Sequence, residues 1–166
     1  NATNNGITQL MSDLLTRGAA GRTSQEIAQK VESLGGYLSP FCGRNSFGLQ
    51  ARCLSSDVDT FADLFAGSLL SPAFPPDEVE KQREVQLAGI RQQREQPFFI
   101  AEEALRQALF PDHPYRWTPQ GSEDTAGKLT RDELAAHFKN LAVRGNAAFA
   151  VFGDITADQA RPLIES

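Results

Sequence analysis

The stretch Gly6-Ile7-Thr8-Gln9-Leu10-Met11-Ser12-Asp13-Leu14-Leu15-Thr16-Arg17-Gly18 decides how the rest of the chain reads. Ile7, Leu10, Met11, Leu14 and Leu15 recur at i, i+3, i+4, i+7 and i+8, the signature of one buried helical stripe. Gln9, Ser12 and Asp13 interrupt that stripe three and four residues apart, so a helix brings them together along one side.

Outward from this segment the signals stay clear. Thr23-Ser24-Gln25-Glu26 is a capping box, in which the threonine hydroxyl takes a free N–H and the glutamate reaches back. The helix it opens carries Ile27, Val31 and Leu34 inward and should end at Gly35-Gly36, both supplying positive φ. Phe47, Leu49, Ala51 and Cys53 then alternate with polar or small residues, the period of a half-buried strand. Its partner is predicted over about 37–42, and Pro40 confines that partner to an edge or a bulge.

A helix is expected over 56–70, with Val58, Phe61, Ala62, Phe65 and Leu69 inward. Pro75-Pro76 start a long charged helix over 77–95 whose apolar contacts are Val79, Val85 and Ile90. A further helix spans 98–109, and 110–129 is irregular. Thr130-x-x-Glu133 caps a helix with Leu134, Phe138 and Leu141 inward. The continuous apolar run at 147–152 reads as a buried strand, and Thr156-x-x-Gln159 caps a last helix.

Composition bounds the function. The chain has 166 residues, enough for one domain with a core, and a net charge of −5 with the two signs interleaved. No basic cluster supports nucleic-acid or anionic-membrane binding, and no apolar run approaches the roughly 20 residues of a membrane span. Two cysteines, Cys42 and Cys53, cannot make a disulfide framework. They read as small buried hydrophobes, because the hairpin register sets them far apart. Residues 1–5 are expected to be a disordered or scar-containing terminus, and the whole reads as part of something longer. Asn1-Ala2-Thr3 matches a glycosylation tripeptide, a pattern common by chance.

Landmarks in order carry a family resemblance. They are Glu32-x-x-Gly35-Gly36-x-Leu38, Ser71-Pro72-x-Phe74, Glu80-Lys81-Gln82-Arg83-Glu84-Val85 and His113-Pro114-Tyr115. Leu129-Thr130-Arg131-Asp132-Glu133-Leu134 and Ala150-Val151-Phe152-Gly153-Asp154-Ile155 complete the series. Together they resemble the M16 metallopeptidases, which include pitrilysin, insulin-degrading enzyme and the mitochondrial processing peptidase. The resemblance implies a two-layer α+β fold of the LuxS/MPP-like type, a small antiparallel sheet with helices packed on one face. The family's two opening strands precede the point where this chain begins.

In that family an H-x-x-E-H helix places two histidines on one face to share a zinc, while the glutamate activates water. Carried over residue by residue, the first histidine falls on Gln9, the glutamate on Ser12 and the second histidine on Asp13. The distal glutamate ligand falls on Gly89. All four depart from the pattern, so the resemblance implies a chain that does not cut by itself, and no zinc here. Such a half forms chamber wall and interface for an active, zinc-bearing half, fused or separate, and helps to hold a peptide substrate. The family's substrate-holding Arg/Tyr pair lies in a later domain, so Tyr115 and Arg116 are not that pair.

The alternative is an assembly subunit like the respiratory-complex core proteins, with no link to proteolysis. A bacterial location, periplasmic or cytoplasmic, is implied. With few strands left, an unpaired edge is expected to be covered by a second copy. His113 reads as a loop anchor, and Glu123-Asp124 as part of a helix cap. The run from Glu78 to Glu95 reads as a solvated face.

Overall fold

The computed structural model describes residues 3–165; of the expected loose terminus, Asn1 and Ala2 lie outside that range, whereas residues 3–5 form a turn in which the Asn4 carbonyl accepts the Ile7 N–H at 3.1 Å. Helix α1 (Ile7–Asp13) is the hub. Leu10, Met11, Leu14 and Leu15 are all fully buried and Ile7 nearly so, as the stripe requires. Around them pack Phe74, Val79, Leu129 and Leu134, with Phe47, Ala135 and Phe138 closing the rim. Phe138 meets Phe74 edge-on at 5.9 Å, a favoured geometry for two rings.

Two two-residue strands, β1 (Gly18–Ala19) and β2 (Arg22–Thr23), turn the chain from α1 into α2 (Ser24–Ser33). The Thr23 capping box forms in both directions. Gly35 has the expected positive φ of 61°. Gly36 does not, and its reason is different. A Cβ there would stand 2.0 Å from the Phe61 ring and 2.8 Å from the Arg52 carbonyl oxygen, so only glycine lets the chain pass this close to them.

The hairpin is β3 (Tyr37–Cys42) and β4 (Phe47–Arg52), antiparallel, with Cys42 opposite Phe47 and Pro40 opposite Leu49. The Gly43 N–H donates to the Ser46 carbonyl at 2.7 Å and closes the turn. Counting in alternation from that pair, Pro40 occupies a non-hydrogen-bonded position, where its missing N–H faces away from β4. Cys42 and Cys53 are both free thiols.

Helix α3 (Val58–Leu70) buries Phe61, Leu64 and Ser68, a stripe rotated from the expected one, because β4 lies over that side. Helix α4 (Pro76–Arg94) buries Val79 and Ile90. Val85, expected inside, is 61% exposed, and Gln86 takes the buried place next to it. Its amide explains why: Gln86 donates to the Gly6 and Gln120 carbonyls, at 3.2 and 2.7 Å, and ties α4 to the entrance of α1.

Helix α5 (Pro97–Leu109) buries no residue. The expected irregular stretch contains one 3-10 turn at Pro114–Arg116 and a short helix, α6 (Glu123–Ala126). Its cap is Ser122, with Glu123 and Asp124 in the first turn. Helix α7 (Arg131–Leu141) opens at the Thr130 capping box as expected, and α8 (Ala157–Glu165) ends the described chain.

The expected strand at 147–152 also fails. Residues 147–152 form no strand, and the described residues hold two separate two-stranded sheets, β1–β2 and β3–β4. Phe149, Val151 and Phe152 are exposed. A strand must share its N–H and C=O groups with a neighbour. Among the described residues no strand pairs with this run. Its one aromatic anchor is Phe149, edge-on to Phe65 at 5.3 Å. The fold is helix-rich, with small antiparallel sheets packed against helices.

Candidate functional site

The polar residues of α1 separate once the helix is packed. Ser12 is fully buried, and its hydroxyl donates to the Phe41 carbonyl at 2.8 Å, pinning the helix to the hairpin. Gln9 and Asp13 lie half-buried one turn apart, with the Gln9 amide donating to the Asp13 carboxylate at 2.9 Å. Gln82, on α4, approaches the same carboxylate at 3.4 Å. The residues that meet here are therefore Gln9, Asp13 and Gln82, and Gln82 was not anticipated as a member.

Gly89 lies two turns beyond Gln82 on α4, and a Cβ built there meets nothing within 4 Å. The position opens onto space and contributes no donor.

Burial raises the Asp13 pKa above the ordinary carboxylate value, against the opposing hydrogen bonds from Gln9 and Gln82 and the charge of Arg17. Burial, with the Asp13 charge added, pushes the Cys42 thiol up to about 11. That thiol stays protonated at neutral pH and is a poor ligand or nucleophile. Zinc asks for three or four N, O or S donors in tetrahedral array. Among the described residues no three His, Cys, Asp or Glu side chains gather to hold a metal, and the neutral amides of Gln9 and Gln82 do not replace imidazoles. The donor set does not fit zinc.

The two histidines of the chain lie elsewhere, along one cleft of about 590 Å³ between the hairpin turn, the 113–119 loop, α1 and α7. His113 Nδ1 accepts the Tyr115 N–H at 3.2 Å, the loop anchor expected of it. His137 Nε2 meets Thr8 Oγ1 at 2.9 Å, and burial holds its pKa below the ordinary imidazole value. Arg44 Nη1 donates to the Tyr115 and Trp117 carbonyls, at 3.3 and 3.2 Å, and Asn45 exchanges hydrogen bonds with the Tyr115 hydroxyl. Sequence reading missed His137, Arg44, Asn45 and Trp117. Their only sequence signal is residue type, because about 70 to 130 residues of chain separate the partners.

The model of the insulinase family, peptidase family M16, matches residues 1–118. An uncharacterized zinc protease of Mycobacterium leprae is 28% identical over 163 residues, covering 98% of this chain and 37% of its own length. The beta subunit of the mitochondrial-processing peptidase of Blastocladiella emersonii is 23% identical over 137 residues, or 82% of this chain and 30% of its own. The chain thus spans little more than a third of the zinc-protease relative's length.

Among solved structures, a peptidase M16 inactive domain from Pseudomonas fluorescens superposes with a TM-score of 0.85 at 26% identity, covering 97% of this chain and 42% of that one. The periplasmic protease PqqL of Escherichia coli reaches a TM-score of 0.86 at 18% identity, over 99% of this chain and 19% of its own, a likeness of fold.

Proposed function

The chain belongs to the insulinase family of peptidases, family M16, and from that premise we propose that it is the non-catalytic half of a two-part zinc peptidase. Its role is to supply wall and interface for a chamber in which an active, zinc-bearing half cuts peptides. Gln9 and Asp13 take the places of the two histidines, Ser12 that of the catalytic glutamate and Gly89 that of the distal glutamate ligand. The likeness to a domain described as inactive supports this reading, as does the zinc protease description of the Mycobacterium leprae relative.

One observation carries it. Helix α1 keeps its whole apolar stripe at or near full burial, while its polar side offers one carboxylate bound by two amides. Packing has been retained where metal chemistry has not.

The test is reconstitution. The chain alone should take up no stoichiometric zinc in equilibrium dialysis and should not hydrolyse an unstructured peptide library. Combined with a protein carrying an intact H-x-x-E-H helix from the same genome, whether fused or separate, it should raise that protein's peptidase rate. Tight one-to-one zinc on this chain would overturn the proposal. So would a partner whose rate is the same with and without it, which would favour the assembly role.

Among the described residues no third strand pairs with the hairpin, and we propose that a second copy covers one of its edges. Sedimentation giving a monomer at high concentration would count against that.

A further inference from the structure

We propose that the cleft between the hairpin turn, the 113–119 loop and α7 is a carboxylate-binding site, and that it takes an acidic side chain or the free C-terminus of a peptide. Its lining is unusual for this chain. Of 166 residues 21 are Asp or Glu, yet none of the twenty residues around the cleft is acidic. What they bring instead are the Arg44 guanidinium, the Trp117 indole, both imidazoles, and the amides of Asn45 and Asn146, each of which spends one N–H on the protein and keeps a second. In an acidic protein, a cleft whose lining carries one guanidinium and no carboxylate is a place where an anion meets little repulsion from the walls.

The donors are held in place before any ligand arrives. Arg44 uses Nη1 to grip two carbonyls of the 113–119 loop, which fixes the orientation of its planar guanidinium. Among the described residues Nε and Nη2 have no partner, and they are the pair that matches a carboxylate edge. His113 accepts through Nδ1, so the neutral ring carries its proton on Nε2 and is a donor there. The reciprocal bonds between Asn45 and the Tyr115 hydroxyl lock the turn to the loop. Pre-organisation of this kind lowers the ordering cost of binding. The volume, about 590 Å³, lies within the usual range for ligand pockets, and Trp117, Phe47 and Leu141 give it apolar walls for the carbon skeleton beside the carboxylate. That the carboxylate arrives on a peptide rests on the proposed function; the preference for a carboxylate rests on the cleft alone.

Trp117 is the only tryptophan in the chain and lines the cleft, so intrinsic fluorescence reports occupancy. The 166-residue chain is titrated with acetyl-Ala-Phe-Glu-amide and its Gln counterpart, with acetyl-Ala-Phe-Ala as free acid and as amide, and with propionate. In at least one pair the acid should bind saturably and roughly tenfold tighter than its neutral isostere, the scale of one charge-assisted hydrogen-bond set. The pair that discriminates identifies the source, side chain or C-terminus. Saturation by propionate with neither peptide acid preferred would keep the carboxylate site and remove the peptide, a failure of the functional reading. No saturation by any acid, or equal binding of acids and amides, overturns the site.

Two variants guard against mere unfolding. Arg44→Gln should abolish the discrimination. Asn45→Asp keeps the acceptor for the Tyr115 O–H, loses the Nδ2 donor and adds a negative charge, so it should weaken acid binding in a chain that still melts cooperatively. Unaltered acid binding in both variants would also overturn the proposal.

Discussion

Helix α1 and residues 147–152 are both short and both apolar, yet one is the centre of the core and the other stands in solvent. Leu10 is wholly buried in α1, whereas Phe152 is 89% exposed. The difference lies in where each finds its hydrogen-bond partners. A helix satisfies its own backbone within four residues, so α1 needs its neighbours only to cover a stripe, and α4, α7 and the hairpin do so. A strand depends on another strand, and none among the described residues pairs with this run. Apolar composition predicted burial for both; only the self-sufficient element achieved it.

Several substitutions would break or sharpen that contrast. Leu10→Ala, in the wholly buried stripe, should cost about 2–5 kcal/mol in urea unfolding, as removal of a core leucine does. A loss below about 1 kcal/mol would mean that α1 is not the hub. Gly36→Ala should come next, at about 1–3 kcal/mol by thermal melting, because the new methyl meets both Phe61 and a backbone carbonyl. Thr130→Ala removes the cap of α7, which packs on α1, and should cost about 1 kcal/mol. Phe152→Ala should change stability by less than about 0.5 kcal/mol. A larger loss would show that the 147–152 run is covered in solution, by a second copy or by another part of the protein. Hydrogen exchange should agree, with slow amides in α1 and fast ones in 147–152.

The finest distinction concerns the polar side of α1. Because the folded-state pKa of Asp13 is raised, the folded chain holds this proton to a higher pH than the unfolded chain does. Stability from this group is therefore greatest below the ordinary carboxylate pKa, falls as pH rises towards the folded value, and stays lower above it. Asp13→Asn should be slightly more stable than the parent at pH 7, with the gain shrinking towards pH 4. A gain that does not depend on pH would mean that Asp13 is not desolvated. Since Asn can still accept from Gln9, this variant tests charge with little loss of hydrogen bonding.

Much of the fold could be read from short-range patterns. The capping boxes at Thr23 and Thr130 formed with the partners their spacing assigns, and the strand predicted over about 37–42 pairs with the Phe47 strand, Cys42 opposite Phe47. Where the reading failed, a distant partner was decisive. Val85 fits an apolar helical position, but Gln86 is drawn inward by the carbonyls of Gly6 and Gln120, about eighty and thirty residues away. Gly36 looked like a helix terminator and proves to be a contact point for Phe61. The two-residue strands β1 and β2 are too short to leave a periodic signal.

By itself, then, the sequence determined the helices, their caps, the hairpin, and which side-chain chemistry stands at residues 9, 12, 13 and 89. Those features follow from contacts within a few residues, or from residue identity alone. Only the tertiary structure decided that Ser12 turns inward to the hairpin while Gln82 joins Asp13. It also decided that residues 147–152 go unpaired and that Arg44, His113 and His137 share one cleft. The physical reason is common to all of these: each depends on backbone or side-chain partners far apart along the chain, which no local periodicity encodes.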